Sequence, residues 1–293
     1  MQLLYALAEL RTPFLDALLG ALTNCGGELV FMAAAIIVFW CVSKSCGYYM
    51  LTVGFVGTIV NQFLKLVFRI PRPWVKDPDF QIVESARAEA TGYSFPSGHT
   101  QNVFASFGCL GRWTRQTWLR VVCALLIVVT AFSRMYLGVH TPLDVGVSFG
   151  IGLVLVFALY PLFRDIDSHP KRLYLLFVAM AVLSAAYLLF AELWPFPADV
   201  DAANLASGRK NAYTLLGAVL GMTFAYWLDR RYVHFDVRAV WWAQVLKAVL
   251  GLAITIGLRA ALKAPLLALC GGHNVANLIR YALMVIFAAG IWP

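Results

Sequence analysis

Apolar residues in this chain fall in long unbroken stretches instead of alternating or marking one face of a helix, and short polar or proline-containing segments separate them. The stretches cover roughly 28–43, 48–68, 98–112, 119–138, 142–163, 173–193, 212–228, 240–258 and 276–292. A helix needs about 20 apolar residues to cross a bilayer core of about 30 Å. The pattern therefore predicts about nine membrane spans with ends ragged by a few residues. Residues 2–23 also read as helical, but Glu9, Arg11, Pro13 and Asp16 interrupt them, which predicts a helix lying in the membrane interface. The expected fold class is an all-α, polytopic membrane helix bundle.

Composition agrees with this picture: 61% of the residues are hydrophobic and 13% charged, with a mean hydropathy of +0.76, where an ordinary soluble domain carries about 25% charge. The net charge of +8 does not point to nucleic acid, because the basic residues stand singly at the ends of apolar stretches and form no run. Six cysteines, at 25, 41, 46, 109, 123 and 270, show neither CxxC nor metal-ligand spacing, so neither a disulfide framework nor a metal site is expected. No Lys or Arg precedes Arg11, and a cleaved signal peptide is not expected.

The charged connections set an orientation. Lys44, the group Arg112, Arg115 and Arg120, the group Arg164, Lys171 and Arg172, and the group Arg230, Arg231 and Arg238 all fall on one face if the spans alternate. The positive-inside rule makes that face cytoplasmic. Lys65, Arg69, Arg72, Lys76, Arg87 and Arg134 then lie on the opposite face, against the rule, and that excess calls for a functional reason. Asp77, Asp79, Glu84 and Glu89, scattered through the segment 69–97, read as solvated, and Arg69, Lys76 and Arg87 as rim charges.

Three clusters make up the excess. In KLVFRIPRP, residues 65–73, Pro71 and Pro73 end the helix, which places Arg72 on an extended segment; snorkelling of Lys65 and Arg69 is the competing reading. In PSGH, residues 96–99, Ser97 is a natural N-cap whose following N–H groups are free for an anion, or it simply starts a helix. In SRMYLGVHTPLD, residues 133–144, His140 stands four residues before Asp144. That carboxylate can fix the tautomer of the histidine, or it can close a capping box with Thr141. Alternating spans carry all three clusters to one end of a four-helix group.

Taken together, Lys65 to Pro73 as K-x6-R-P, residues 96–99 as P-S-G-H and Ser133 to Asp144 as S-R-x5-H-x3-D resemble the type 2 phosphatidic acid phosphatase superfamily, in order and in span placement. The resemblance implies a six-span phosphatase core over 28–193, with the N-terminal helix at 1–27 and a membrane extension of about three spans at 194–293. It implies no cofactor and a metal-independent reaction through a phosphoenzyme. His140 would be the nucleophile, Asp144 its orienting group and His99 the general acid. Lys65, Arg72 and Arg134, with the Ser97 hydroxyl and the Gly98 N–H, would bind the phosphate.

A phosphate pocket reached sideways from the bilayer suits a lipid phosphate. The expected substrate is undecaprenyl diphosphate or a phospholipid phosphate, hydrolysed on the extracytoplasmic face of the cell membrane. A lipid phosphotransferase, a lipid transporter or flippase, and a vanadate-dependent haloperoxidase are the alternatives. In the C-terminal third, Gly217 with Gly221 could let two spans pack closely, as could Gly146 with Gly150. Arg259, Lys263 and Arg280 read as snorkelling cations, with a second phosphate or a lipid headgroup as the alternative.

Overall fold

The computed structural model describes residues 1–293, the side chain of Asp167 excepted. The described backbone is helical and contains no strand. In chain order the helices are α1 (Gln2–Glu9), α2 (Pro13–Thr23), α3 (Glu28–Cys41), α4 (Lys44–Phe68), α5 (Pro73–Lys76), α6 (Gly98–Val103), α7 (Cys109–Trp113), α8 (Thr117–Tyr136), α9 (Pro142–Phe163), α10 (Pro170–Leu193), α11 (Ala202–Leu228), α12 (Trp241–Ala261), α13 (Lys263–Leu269) and α14 (Val275–Ile286). A π-helical turn at Phe104–Gly108 joins α6 to α7.

All nine apolar stretches are helical, but fewer than nine are span candidates. Five helices are long and apolar enough to cross a membrane, and six if the pair Pro13–Gly26 and Glu28–Cys41, bent by 49°, forms one broken span. Three expected spans fall short for separate reasons. The run from α6 through α7 ends at Trp113, the first turns of α11 carry Arg209 and Lys210, and Val275–Ile291 is a shorter apolar helix. The N-terminal segment also differs from the single interrupted helix expected. Thr12 caps α2 by accepting from the Leu15 N–H at 3.3 Å, Pro13 occupies its first turn, and α2 packs along α8.

The chain divides into two compact units. The first comprises Met1–Ala34, Tyr49–Pro161 and Asp201–Ser207, and it contains every residue of the three sequence clusters. Within it the long segment after α4 folds back: Phe80, Ile82, Ala86 and Ala90 are buried with Leu4, Tyr136, Leu137 and Val139. Arg11 ties this layer together, donating from Nη1 to the Gln81 carbonyl at 2.7 Å and from Nε and Nη2 to the Tyr136 carbonyl at 3.1 and 2.9 Å.

The second unit comprises Ala35–Tyr48, Leu162–Val200 and Gly208–Pro293. Gly217 and Gly221 do allow close packing there, since a Cβ on them would stand 2.1 and 2.6 Å from the carbonyl oxygens of Leu278 and Ala282 on α14. Gly146 and Gly150, in contrast, face open space, so that pair packs against nothing described. A half-buried ion pair between Lys44 and Asp229 at 2.8 Å, with Lys44 Nζ 3.6 Å from the Phe235 ring centroid, and a bond from Trp40 Nε1 to the Ala288 carbonyl at 2.7 Å also hold this unit.

Candidate active site

Helix ends bring the clusters together. Lys65 lies in the last turn of α4; the chain then leaves the helix through Arg69 in the left-handed region, and Arg72 takes extended backbone before Pro73 opens α5. Ser97 caps α6, with its Oγ accepting from the Thr100 N–H at 3.4 Å and from the Thr100 hydroxyl at 3.0 Å. Arg134 lies in the last turn of α8, and its carbonyl accepts from the N–H groups of Val139 and His140, so the turn carrying His140 folds back onto the same helix end. The Ser97 N–H donates to the Asp144 carbonyl at 3.1 Å, which joins the PSGH segment to the start of α9.

Lys65, Arg72 and Arg134 are all buried, Arg134 to within 1% of full burial. Backbone carbonyls satisfy the first two. Lys65 donates to the Tyr93 carbonyl; Arg72 donates to the carbonyls of Thr91, Gly92 and Val139 at 2.7, 3.1 and 3.0 Å. Arg134 bonds only Thr23 Oγ1, at 2.9 Å from Nη1, while its Nε and Nη2 are buried without a partner. The single fully buried carboxylate among these groups is Asp144, so the pocket carries more positive than negative charge. An anion would relieve both this imbalance and the open valences of Arg134. A Cβ on Gly98 would meet nothing within 4 Å, which leaves room beside its N–H.

Of the two readings of Asp144, the capping box is formed, and the carboxylate lies near His140 without bonding it. Its Oδ2 accepts from the Thr141 N–H at 2.7 Å while Thr141 Oγ1 accepts from the Asp144 N–H at 3.3 Å, which is the reciprocal capping box. The same oxygen accepts from Ser94 Oγ at 2.6 Å and stands 3.5 Å from His140 Nδ1. That last separation is too long for a good hydrogen bond, and His140 Nδ1 and Asp144 Oδ1 are both buried without a partner. On the opposite side of the ring, Arg72 Nη1 lies 2.9 Å from His140 Nε2. A guanidinium cannot accept a hydrogen bond, so Nε2 carries the lone pair and Nδ1 the proton, facing Asp144. Burial, aided by Arg72, Arg134 and Lys65, pushes the His140 pKa well below the ordinary histidine value. The imidazole is therefore neutral, with its Nε2 lone pair accepting from Arg72.

The environment of His99 adds a contact to the reading of the acidic loop. Glu89 is not simply solvated: its Oε2 lies 2.8 Å from His99 Nε2, with side-chain exposures of 53% and 12%. The hydrogen bond to His99 holds the Glu89 carboxyl below the usual range. Arg87, expected at the rim, is there, clamped to Glu84 by two 2.7 Å bonds. Asp77 accepts from the Tyr5 hydroxyl at 2.9 Å.

Sequence reasoning missed the N-terminal contribution. Thr23 supplies the one side-chain partner of Arg134, and the Gly26 carbonyl accepts from Asn102 Nδ2 at 3.2 Å. The absence of a side chain at Gly26 is required, since a Cβ would stand 2.6 Å from the His99 carbonyl oxygen. Only a run of small polar residues after α2 hinted at this in the sequence. Ser94, which bonds Asp144, lay two residues before the PSGH motif.

Comparison with known proteins follows the same division of the chain. The family model for the PAP2 superfamily matches residues 44–168, and the one for the transmembrane extension of PAP2 superfamily phosphatases matches residues 213–293. Among curated proteins, the chain is 33% identical over 108 residues to undecaprenyl-diphosphatase BcrC of Bacillus subtilis, covering 36% of this chain and 52% of the relative. It is 25% identical over 178 residues to phosphatidylglycerophosphatase B of the same organism, covering 56% and 80%. It is 27% identical over 241 residues to a probable sphingosine-1-phosphate phosphatase of Dictyostelium discoideum, covering 76% and 56%. The match thus spans about half the length of the first and third of these relatives. No solved structure matches. The chain belongs to the PAP2 superfamily, with both its domain and its transmembrane extension.

Proposed function

We propose that this PAP2-superfamily chain is an integral membrane phosphatase that hydrolyses a lipid phosphate or diphosphate, with undecaprenyl diphosphate or a phospholipid phosphate favoured, through a phosphohistidine. The observation that carries the reading is the neutral His140, its Nε2 lone pair held 2.9 Å from Arg72 in a pocket where three buried cations face one buried carboxylate. Phosphoryl transfer asks a protein mainly for positioning and for stabilisation of charge on the equatorial oxygens. Lys65, Arg72 and Arg134 supply that charge, and the proposed reaction needs no metal.

In the proposed reaction, phosphate enters between these cations and Arg72 transfers its Nη1 bond from His140 to a phosphate oxygen. Nε2 attacks phosphorus in line, and the bond from phosphorus to the leaving oxygen breaks. His99 gives that oxygen its proton, releasing the lipid alcohol or, from a diphosphate, the lipid monophosphate. Asp144 receives the Nδ1–H bond as the phosphorylated imidazole gains positive charge. Water then loses a proton to His99 and attacks phosphorus, breaking the P–N bond and freeing inorganic phosphate.

Similarity to a protein named as an undecaprenyl-diphosphatase and to one named as a phosphatidylglycerophosphatase supports the lipid class of substrate. Lys44 opens α4 and Arg164, Lys171 and Arg172 follow α9, at the ends of two candidate spans opposite to those that carry Lys65 and Asp144, which by the positive-inside rule supports a site on the extracytoplasmic face of the cell membrane.

The test is phosphate release by the purified protein in EDTA from a panel of lipid mono- and diphosphates, with an alkaline quench to trap labelled enzyme. Turnover in EDTA and acid-labile label on the wild type are expected, and His140→Asn should lose both. Abolition by EDTA would remove the metal-free mechanism, and substantial turnover by His140→Asn would remove the nucleophile. Transfer of label to an added lipid alcohol in place of water would identify a phosphotransferase.

A further inference from the structure

The extension contains a second group of cations, within the second compact unit and outside the catalytic pocket. Arg280 on α14 is only 6% exposed. Its Nη2 donates to Asn277 Oδ1 at 2.9 Å, and Asn277 is in turn oriented by a bond from its Nδ2 to Asn274 Oδ1 at 3.2 Å. Arg280 Nε is buried without a partner. Arg259, in the last turn of α12, shares an aromatic ring with it: the two guanidinium carbons lie 5.7 and 5.2 Å from the Tyr281 centroid.

Among the described residues neither arginine makes an ion pair, whereas Arg209 and Lys44 of the same unit reach Glu192 at 3.4 Å and Asp229 at 2.8 Å. Snorkelling does not account for Arg280, because a snorkelling side chain keeps its charged head in water and this one is enclosed.

We infer that Arg259 and Arg280 form an anion site for the phosphate of an anionic lipid headgroup bound to the extension. A guanidinium offers five donors in a planar fork that matches phosphate oxygens. The phosphate would supply the missing acceptor for Arg280 Nε and the missing counter-charge for both side chains. The lipid source follows from the neighbouring surface: α12 lies in a candidate span that is 11% buried, and Ile254 and Ile256, just before Arg259, are 40% and 58% exposed. A headgroup seated on the arginines would lay its acyl chains along that apolar face. Inorganic phosphate has the same donor requirements but gains nothing from it.

The test is thermal unfolding of the full-length protein in neutral detergent, titrated separately with dioleoylphosphatidylglycerol, dioleoylphosphatidylcholine and inorganic phosphate. Phosphatidylglycerol is expected to raise the midpoint saturably, with an apparent affinity about tenfold weaker in Arg259→Gln through loss of one charge-assisted contact. Arg280→Lys, which keeps the charge and loses the fork, should weaken it as well.

Arg259 is partly exposed and outside the catalytic pocket, so Arg259→Gln should fold and retain its phosphate release. A site that binds lipid in a chain without phosphatase activity would leave this inference standing and defeat the proposed function alone. An Arg259-dependent shift with inorganic phosphate as large as with phosphatidylglycerol supports the anion site and assigns it to free phosphate. Equal phosphatidylglycerol affinity in wild type and Arg259→Gln, or equal response to phosphatidylcholine, overturns the inference.

Discussion

Replacing Asp144 by asparagine separates the capping bonds of this carboxylate from the orienting role proposed for it. The amide oxygen can still accept from Ser94 and the Thr141 N–H, now 2.6 and 2.7 Å from Oδ2, so the capping box is weakened without being lost. Loss of a helix cap costs about 1 kcal/mol, which sets the upper scale of the effect on stability from that source. The electrostatic part is larger. When His140 takes the phosphoryl group its ring becomes cationic, 3.5 Å from Oδ2. At an effective dielectric of about 20 that attraction is roughly 5 kcal/mol. At about 1.4 kcal/mol per decade, Asp144→Asn should lower kcat by between 10³- and 10⁴-fold, on the order of the loss seen when a triad aspartate elsewhere becomes asparagine. The assay is phosphate release from a short-chain lipid phosphate in detergent, run beside a thermal unfolding scan. A lowered midpoint with specific activity within about tenfold of wild type would refute the orienting role and leave only the cap.

Two further outcomes follow from contacts around the pocket. In Glu89→Gln the carboxylate that favours the protonated His99 imidazole is gone, so the basic limb of the kcat/KM profile should move to lower pH; an unmoved limb would refute the role of the pair. The sign follows from the pair: burial lowers the His99 pKa and Glu89 raises it, so removing the carboxylate lets His99 lose its proton at lower pH. The carboxyl of Glu89, held below its usual range by His99, is charged across that whole limb, and its side of the contact is lost only at acid pH, as pH falls through the depressed value. Thr23→Val removes the hydroxyl that accepts from Arg134. A hydrogen bond to a charged group is worth about 1.5–3 kcal/mol, so kcat/KM should fall about tenfold or more and recover in Thr23→Ser, whereas a change under about twofold would show that Arg134 is held by packing alone.

Much of the site was legible in the sequence because its residues mark helix boundaries, and boundaries are set locally. Pro71 and Pro73 forbid helix around Arg72, which is found extended; Ser97 caps α6; Thr141 and Asp144 close a capping box directly after His140. Glu89 is exposed as expected, but its contact with His99 was missed, because no local rule shows that a loop carboxylate reaches a histidine ten residues later. The span count was misread because hydropathy of a stretch does not measure how far its helix continues, and α6–α7 stops at Trp113.

By itself, then, the sequence determined an all-helical membrane chain and the identity of the groups that carry charge, since both follow from apolar run length and from short-range backbone preferences. Only the tertiary structure decided which atoms those groups face. It set Arg72 against His140 Nε2 and so fixed the tautomer. It brought Thr23 to Arg134 across 111 positions of chain, and it enclosed Arg280 where a snorkelling side chain was expected. Each of these depends on which helix ends are packed together, and the free energy that selects those partners comes from burial summed over distant segments, which no local pattern encodes.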